Sequence, residues 1–272
     1  MQVIRYPSSH RSLLQHLDAA KLSVEIYQKL GVFVLRKIIP ADQIVEWQRT
    51  WREFYEGVAK TRDVNPFNPV LLNEVVPGAL AEIHRCPVLL DIMEHIYPNL
   101  ALYMQRFVIK DAQSEAPVFL HQDFGYDHGW PEKTSVFLPL SPVSAYNGGV
   151  AFYPSTHIYG YLGDVGEIDP NIIDPEWPAI CPSLEPGDIA LMHECTWHAS
   201  GPRIGGPDRI LVQITYQPAI DPTGVTLLRG HGGSEYRPND FPREKIFKRS
   251  RTGRLRELQS EVNQLNAARV NE

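Results

Sequence analysis

The sequence predicts a mainly β protein whose core is a sandwich or a barrel, with flanking helices in the N-terminal part. Two patterns predict this class. From about residue 101, short runs rich in Val, Ile, Phe and Tyr are separated by Gly and Pro, which favours a sandwich or barrel over a parallel βαβ sheet. Before that point, apolar residues recur at helical spacing. With 43% apolar and 21% charged residues, the composition is that of a globular protein.

The first hundred residues contain amphipathic segments at about 11–30, 41–60 and 79–96, which predict packing helices. In the second segment the apolar side chains recur at spacings of three or four and line one helical face: Ile44, Trp47, Trp51 and Phe54. The short β-rich run at 31–39, GVFVLRKII, predicts an edge strand between the first two helices.

The strand-like runs follow in the second part of the chain. They lie at 101–110, 117–122, 134–140, 150–154, 188–193, 196–200 and 209–218. The connections at 156–186 and 221–243 are longer than ordinary loops, so they are interpreted as lids or binding loops, with disorder as the alternative. A short helix is expected at 254–268.

We expect a single domain over residues 1–272, because one barrel with helical flanks commonly reaches this length. It would consist of a helical part at about 1–100, a β core at about 101–218 that contains the 156–186 insert, and a loop with a C-terminal helix at about 219–272.

Charge and targeting signals exclude several function classes. The net charge is −6, and the only dense basic run, at 245–256, is interpreted as a solvated helix face, so a nucleic-acid surface is not expected. No signal peptide and no membrane-spanning run is recognisable. Cys86, Cys181 and Cys195 form no CxxC pair and are expected to be free thiols, which predicts a cytoplasmic location.

The stretch VFLHQDFGYDHGW at 118–130 introduces chemistry into a strand-like run. Strand side chains alternate between faces, so His121 and Asp123 are expected to point the same way. Far downstream, His198 ends another strand-like run. Two imidazoles and one carboxylate on one side of an ion form the facial triad of non-haem Fe(II) oxygenases, which leaves coordination positions open. The sequence therefore indicates an iron site.

Arg209 is the candidate anchor for a bound carboxylate. It lies eleven residues after His198, and a hairpin through the Gly/Pro-rich bend between them would return it to the same end of the sheet. A guanidinium there can hold a carboxylate such as the distal one of 2-oxoglutarate in a bidentate fork, with the Ser200 hydroxyl as a second donor. The alternative is a surface ion pair of Arg209 with Asp208 or Asp188.

These motifs resemble the phytanoyl-CoA dioxygenase-like branch of the Fe(II)- and 2-oxoglutarate-dependent dioxygenases. The resemblance covers about residues 30–218 and depends on HQD at 121–123, NGGVAFYPSTH at 147–157 and the block PGD…H…HASGP…R at 186–209. It implies a double-stranded β-helix core, that is, a cupin-like jelly-roll, with the N-terminal helices packed on one sheet.

The resemblance also assigns roles to residues. It implies that His121, Asp123 and His198 are the iron ligands and that Arg209 and Ser200 bind 2-oxoglutarate. Phe137 stands where relatives place an aromatic residue beside the cosubstrate. The chain departs from the family pattern at two positions: Arg106 lines the site where relatives commonly have Met, and Ser155 replaces a frequent Gly.

The implied activity is the hydroxylation of a small-molecule metabolite with Fe(II), 2-oxoglutarate and O2, in which 2-oxoglutarate is converted to succinate and CO2. Relatives that halogenate carbon lack the carboxylate found here at Asp123, so oxygen transfer is expected. Two alternatives stay open: the same iron chemistry with desaturation, cyclisation or epimerisation as its outcome, or a non-catalytic jelly-roll that binds a metal or ligand. No nucleic-acid or membrane partner is expected, and a monomer and a homodimer are both compatible with the sequence.

The remaining polar residues near the motifs have weaker signals. Tyr126, Asp127, His128 and Trp130 follow the ligand pair and either line the substrate entrance or form only a turn. His157 and His193 are interpreted as supporting residues, and a zinc site at His193, Glu194 and Cys195 is not favoured. A mobile lid is the interpretation of the segment that contains Arg229, His231 and Arg237.

Overall fold

A computed structural model describes residues 4–58, 70–72, 75–127, 129–161, 170–221, 223–224 and 226–230. The α-helices are α1 Val24–Leu30, α2 Ala41–Val58, α3 Gly78–Ala81 and α4 Pro87–Glu94. The strands are β1 Asp18–Ala19, β2 Val32–Leu35, β3 Val70–Leu72, β4 Leu100–Lys110, β5 Val118–His121, β6 Thr134–Pro139, β7 Val150–Phe152, β8 Ile189–His193, β9 His198–Ser200, β10 Arg209–Pro218 and β11 Thr226–Arg229. Short 3-10 helices span Ser8–His16, Ile83–Arg85, Asp123–Tyr126, Thr156–Tyr159 and Pro170–Ile172.

Two sheets form the core, as expected for a jelly-roll. The major sheet has the strand order β1-β2-β8-β6-β10-β4-β11, and β3 also pairs with β4. The minor sheet has the order β5-β9-β7. Apart from the parallel pair β1 and β2, neighbouring strands are antiparallel. The cupin-like fold class is confirmed, and each of the seven strand runs expected from the sequence coincides with a strand.

Successive side chains of β10 point to opposite faces of the major sheet and pack into two different apolar clusters. Val212 and Ile214 point to the helices, where α2 stacks Trp51 on Phe107 with ring centroids 4.9 Å apart. Leu211 points the other way and packs with side chains of the minor sheet. The helices therefore cover the outer face of the major sheet, as expected, and the inner face is left to the site between the sheets.

The N-terminal helices depart from the sequence prediction at their boundaries. The single helix expected over 11–30 is wrong, because β1 interrupts this segment by pairing with β2, and Ser23 then caps α1 by accepting a hydrogen bond from the Ile26 amide at 3.4 Å. The segment 79–96 is likewise broken, since Pro87 lacks an amide hydrogen and starts α4 as a separate helix. The prediction for α2 is confirmed.

The strand predicted within 31–39 was expected at the edge of the sheet, and this is wrong, because β2 is the second strand from the edge. β2 lies between β1 and β8, and its four side chains are all buried. The chain leaves the sheet after Leu35, where Lys37 takes a positive φ of 51°. The two-residue β1 forms the edge instead.

The two long connections are partly ordered. The 156–186 insert packs the buried Trp177 edge-on against Tyr6, with ring centroids 5.2 Å apart, and pairs through Ile180 with Phe152. The 221–243 segment contributes β11, which the sequence did not predict. The helix expected at 254–268 lies outside the described residues. Within the described ranges, every helix is too short or too polar to cross a membrane.

Candidate active site

The fold brings His121, Asp123 and His198 together between the two sheets. His121 ends β5 and His198 begins β9, and the two residues are direct partners in the antiparallel register. Asp123 lies just beyond β5, in the 3-10 helix rather than in the strand. Its Oδ1 is 3.4 Å from Nε2 of His121 and 3.5 Å from Nε2 of His198. All three side chains are buried.

Hydrogen bonds to the backbone determine which nitrogen each imidazole presents. Nδ1 of His121 lies 2.7 Å from the Phe119 carbonyl oxygen, and Nδ1 of His198 lies 3.0 Å from that of Thr196. A carbonyl only accepts, so each Nδ1 donates, and in its neutral form each ring presents the lone pair of Nε2 to the centre. These bonds fix the imidazoles in the orientation that a metal ligand requires.

The electrostatics of the group suit a cation. Burial lowers the pKa of His121, and His198 lowers it further, so the His121 ring stays neutral. Burial alone would raise the pKa of Asp123, but His198, His121 and Arg106 together hold the pKa of that carboxyl well below its usual value. The three ligand atoms lie within 4.8 Å of one another. Two imidazoles and one carboxylate at this spacing fit a divalent iron ion.

Gln213 supports the carboxylate from behind, and the sequence reading missed it. Its Nε2 donates to Oδ2 of Asp123 at 2.7 Å and to the Ser135 hydroxyl at 3.0 Å. Its Oε1 accepts from Nε of Arg106 at 2.9 Å. Strand alternation from Arg209 places residue 213 on the same inner face, so the signal was present in the pattern.

Arg209 is buried, with only 1% of its surface exposed, and it contacts Ser200, two residues after His198. Its Nη1 donates to the Gly148 carbonyl and to the Ser200 hydroxyl, the latter at 2.9 Å. The surface alternative fails, because Asp208 lies 3.5 Å from Arg203 and Asp188 lies 2.8 Å from Arg36. Burial lowers the pKa of Arg209 to about 10, which leaves the guanidinium charged at neutral pH.

A family model described as phytanoyl-CoA dioxygenase (PhyH) matches residues 27–210. The chain belongs to this family. It is an iron- and 2-oxoglutarate-dependent dioxygenase, and its His-Asp-His group could hold a metal ion. No curated protein matches the chain.

Solved structures share the PhyH chain's fold at low sequence identity. The non-heme alpha ketoglutarate dependent carbocyclase SnoK from nogalamycin biosynthesis is 16% identical with a TM-score of 0.61, covering 78% of this chain and 89% of SnoK. The epimerase SnoN in complex with Fe3+, alpha ketoglutarate and nogalamycin RO is 17% identical with a TM-score of 0.61, covering 86% and 94%. EctD from S. alaskensis with 2-oxoglutarate and 5-hydroxyectoine is 16% identical with a TM-score of 0.62, covering 80% and 86%.

Phe137 and Arg106 flank the triad in this PhyH chain. The Phe137 ring is buried with its centroid 6.4 Å from the His198 ring, so it forms an apolar wall on the inner face of β6. The Arg106 side chain is 23% exposed, and its Nη2 lies 3.8 Å from Oδ1 of Asp123. Arg106 therefore places a positive charge beside the ligand carboxylate.

The four residues expected at the substrate entrance have different positions. The Tyr126 ring stands edge-on to the His121 ring with centroids 6.0 Å apart. The Trp130 side chain is 44% exposed, at the surface. Asp127 turns inward and lies next to Glu194. His128 lies outside the described residues.

Asp127 and Glu194 form a buried carboxyl pair that the sequence reading did not identify. Burial raises the pKa of Asp127 to about 6, and it raises that of Glu194 well above its usual value, with Asp127 adding to the effect. Burial disfavours the ionised form of both carboxyl groups, and it does so more strongly at Glu194, where the charges of Asp127 and Asp123 add to it. Glu194 also accepts from the Ser135 hydroxyl at 2.6 Å, which connects the pair to Gln213.

The other polar candidates have structural roles. His193 accepts a hydrogen bond at Nδ1 from the Cys195 amide at 3.1 Å, and no zinc-type group forms there among the described residues. His157 donates from Nε2 to the Gln28 carbonyl at 2.8 Å.

In the segment interpreted as a lid, Arg229 pairs with Asp91 at 3.4 Å on the surface rather than at the triad. His231 and Arg237 lie outside the described residues, and the cysteines are free thiols in the structure.

Ser155 occupies a left-handed backbone position with φ 67°, a conformation that Gly adopts without strain. Its amide donates to the Leu30 carbonyl at 2.6 Å, and its hydroxyl lies 2.9 Å from Nδ1 of His10. These two bonds offset the strain of the turn.

Proposed function

We propose that this enzyme hydroxylates an unactivated C–H bond of a small-molecule metabolite. The observation that carries the proposal is the convergence of two imidazole nitrogens and the Asp123 carboxylate in a buried group. A carboxylate in the third position supports oxygen transfer, since it occupies the place where a halide ligand would otherwise bind.

His121, Asp123 and His198 would hold the iron, and Arg209 with Ser200 would bind the distal carboxylate of 2-oxoglutarate. Iron together with 2-oxoglutarate and O2 supplies the oxidation of the substrate, with succinate and CO2 as the coproducts. The protein supplies orientation and a dry site. Gln213 holds the Asp123 carboxylate through Oδ2, which leaves Oδ1 directed at the two imidazoles.

The substrate would approach from the side of Tyr126 and Arg106. Both residues lie next to the triad, and both are partly exposed. Phe137 and Arg209 are both buried, so their part of the site is closed to water. A substrate held on the open side would be oriented toward the metal while the cosubstrate occupies the closed side.

The first experiment is anaerobic titration of the purified protein with Fe(II) and 2-oxoglutarate, followed by visible absorption. We expect a weak charge-transfer band that is lost in His198→Ala and weakened in Arg209→Ala. The matched control is His95→Ala, because His95 is exposed and only bonds the Asp91 carbonyl, at 2.7 Å. No band in folded, iron-loaded wild-type protein would contradict the proposed site.

A substrate screen by succinate release then tests the outcome of the reaction. With a substrate in hand, turnover under ¹⁸O2 should place one labelled oxygen in the product. An oxidised product without label would favour desaturation, cyclisation or epimerisation over hydroxylation. A protein that binds iron and releases no succinate with any substrate class would favour a binding function.

A further inference from the structure

Lys110 lies in the same buried corner as Arg209, although neither the motifs nor the proposed mechanism use it. It is the last residue of β4, and its direct partner in the antiparallel register is Arg209, the first residue of β10. Directly opposed residues of neighbouring strands project from the same face of a sheet. The two cationic side chains therefore leave the inner face of the major sheet side by side.

Both side chains donate to backbone carbonyls at the same end of the paired strands β7 and β9. The Lys110 ammonium donates to the Gly201 carbonyl, and the Arg209 guanidinium donates to the Gly148 carbonyl. Gly148 is in contact with Lys110 as well, because a Cβ at this position would lie 2.6 Å from Cδ and 3.1 Å from Nζ of Lys110. The ammonium and the guanidinium thus converge on a corner bounded by Gly148, Gly201 and the Ser200 hydroxyl.

This corner contains two basic side chains, and no described Asp or Glu pairs with either of them. Lys110 is 3% exposed and Arg209 is 1% exposed, yet neither forms an ion pair with any described residue. Nε of Arg209 also lacks a hydrogen-bond partner within the described ranges. The titratable neighbour is the Cys181 thiol, whose pKa burial raises, so it is neutral. Two adjacent buried cations destabilise a protein unless an anion binds between them.

We propose that Lys110 is a second cosubstrate-binding residue, which together with Arg209 binds the distal carboxylate of 2-oxoglutarate. The inference rests on the proposed cosubstrate site at Arg209 and Ser200. One carboxylate oxygen would accept from the guanidinium and the other from the ammonium, and the buried charges would be neutralised. The pair would select 2-oxo acids that carry a second carboxylate.

The electrostatic environment of Lys110 supports this assignment. Burial and the neighbouring Arg209 lower the pKa of Lys110 to about 7, so the ammonium is poorly stabilised by the protein alone. A lysine whose only task was to bond the Gly201 carbonyl would not require a position opposite a buried arginine. An anion that contacts both groups provides the interaction that the protein lacks.

The test is the affinity of the Fe(II)-loaded protein for 2-oxo acids, measured anaerobically by the visible band and by calorimetry. Lys110→Gln keeps a donor for the Gly201 carbonyl and removes the charge. We expect the Kd for 2-oxoglutarate to rise about 10- to 100-fold, as for the loss of a hydrogen bond between charged groups. The Kd for pyruvate, which has no distal carboxylate, should not change. Lys110→Arg should restore most of the affinity.

The controls separate this inference from the proposed function. Lys29→Met removes an exposed lysine and should leave both affinities at their wild-type values. If Arg209→Met weakens 2-oxoglutarate binding while Lys110→Gln does not, the role of Lys110 is overturned and the proposed function stands. If wild-type protein binds neither 2-oxo acid, both are overturned. Lys110→Met is the second variant if Lys110→Gln does not fold.

Discussion

A buried ion pair between Lys133 and Asp221 is predicted to be a main support of the site. Nζ of Lys133 lies 2.9 Å from Oδ2 of Asp221, and both side chains have no exposed surface. The same carboxylate accepts from the amide of Trp130 at 2.7 Å and from the amide and hydroxyl of Thr223 at 3.0 and 2.7 Å. It thereby joins the loop that follows the triad to the segment after β10.

Asp221→Ala would leave a buried ammonium without its counter-ion, and it would also remove the acceptor of the Trp130 amide. Removing one partner of a buried pair destabilises a protein by about 3–5 kcal/mol. That is a large part of a total stability of about 5–15 kcal/mol. With a urea dependence of about 3 kcal/mol per molar, the unfolding midpoint should fall by roughly 1–2 M.

The measurement is urea unfolding followed by tryptophan fluorescence and circular dichroism. Glu53→Ala is the control, since it removes an exposed pair with Arg49, at 2.8 Å, and should change stability by less than about 0.5 kcal/mol. The double variant Lys133→Met with Asp221→Leu should be more stable than Asp221→Ala alone, because no unpaired charge stays buried. A loss below about 1 kcal/mol in Asp221→Ala would refute the reasoning, since it would leave the buried ammonium without a penalty.

Three further predictions concern other parts of the fold. Gly31→Ala should destabilise the protein by about 2 kcal/mol in thermal unfolding, because φ is +68° and a Cβ would overlap the His157 ring; a neutral effect would contradict this. Burial lowers the pKa of His193 to about 3, below its unfolded value, so wild-type stability should fall as the pH falls from 6.5 to 5. His193→Gln should reduce that slope by about 1 kcal/mol per pH unit, and an unchanged slope would contradict the assignment. Gln213→Leu should weaken iron affinity about 10- to 100-fold in a chelator competition, because Asp123 loses its 2.7 Å hydrogen bond, and wild-type affinity would argue against the contact.

Local patterns were sufficient for much of the fold. The helical repeat of Trp47 and Trp51 predicts α2, and short β-rich runs separated by Gly and Pro predict the strands of the two sheets, because both signals come from neighbours in sequence. The failures lie where distant residues compete with local preference. Residues 18–19 leave a helical pattern because β2 offers them hydrogen bonds, and no local pattern contains that partner.

The candidate site likewise combines features that local sequence predicts with features that depend on contacts across the fold. The spacing of His121 and Asp123 and the downstream His198 were readable as a ligand set, since residue type and spacing carry that information. The reason given for the pair was only partly right: Asp123 reaches the centre from a 3-10 helix and not by strand alternation. Its backbone turns as it does because Phe124 donates to the Glu194 carbonyl at 3.2 Å, a contact across the fold.

The sequence by itself predicted a mainly β fold, a His-Asp-His ligand set and an arginine anchor, because these predictions depend on residue types and their separations along the chain. The resemblance to the family narrowed the fold to a jelly-roll. Only the tertiary structure decided which side chains support the ligand set and the anchor. Gln213 meets Asp123, Lys110 meets Arg209, and Glu194 meets Asp127 through strand pairing and sheet packing. The physical reason is that register and burial are properties of the assembled sheets, and they decide which charges lie close enough to interact.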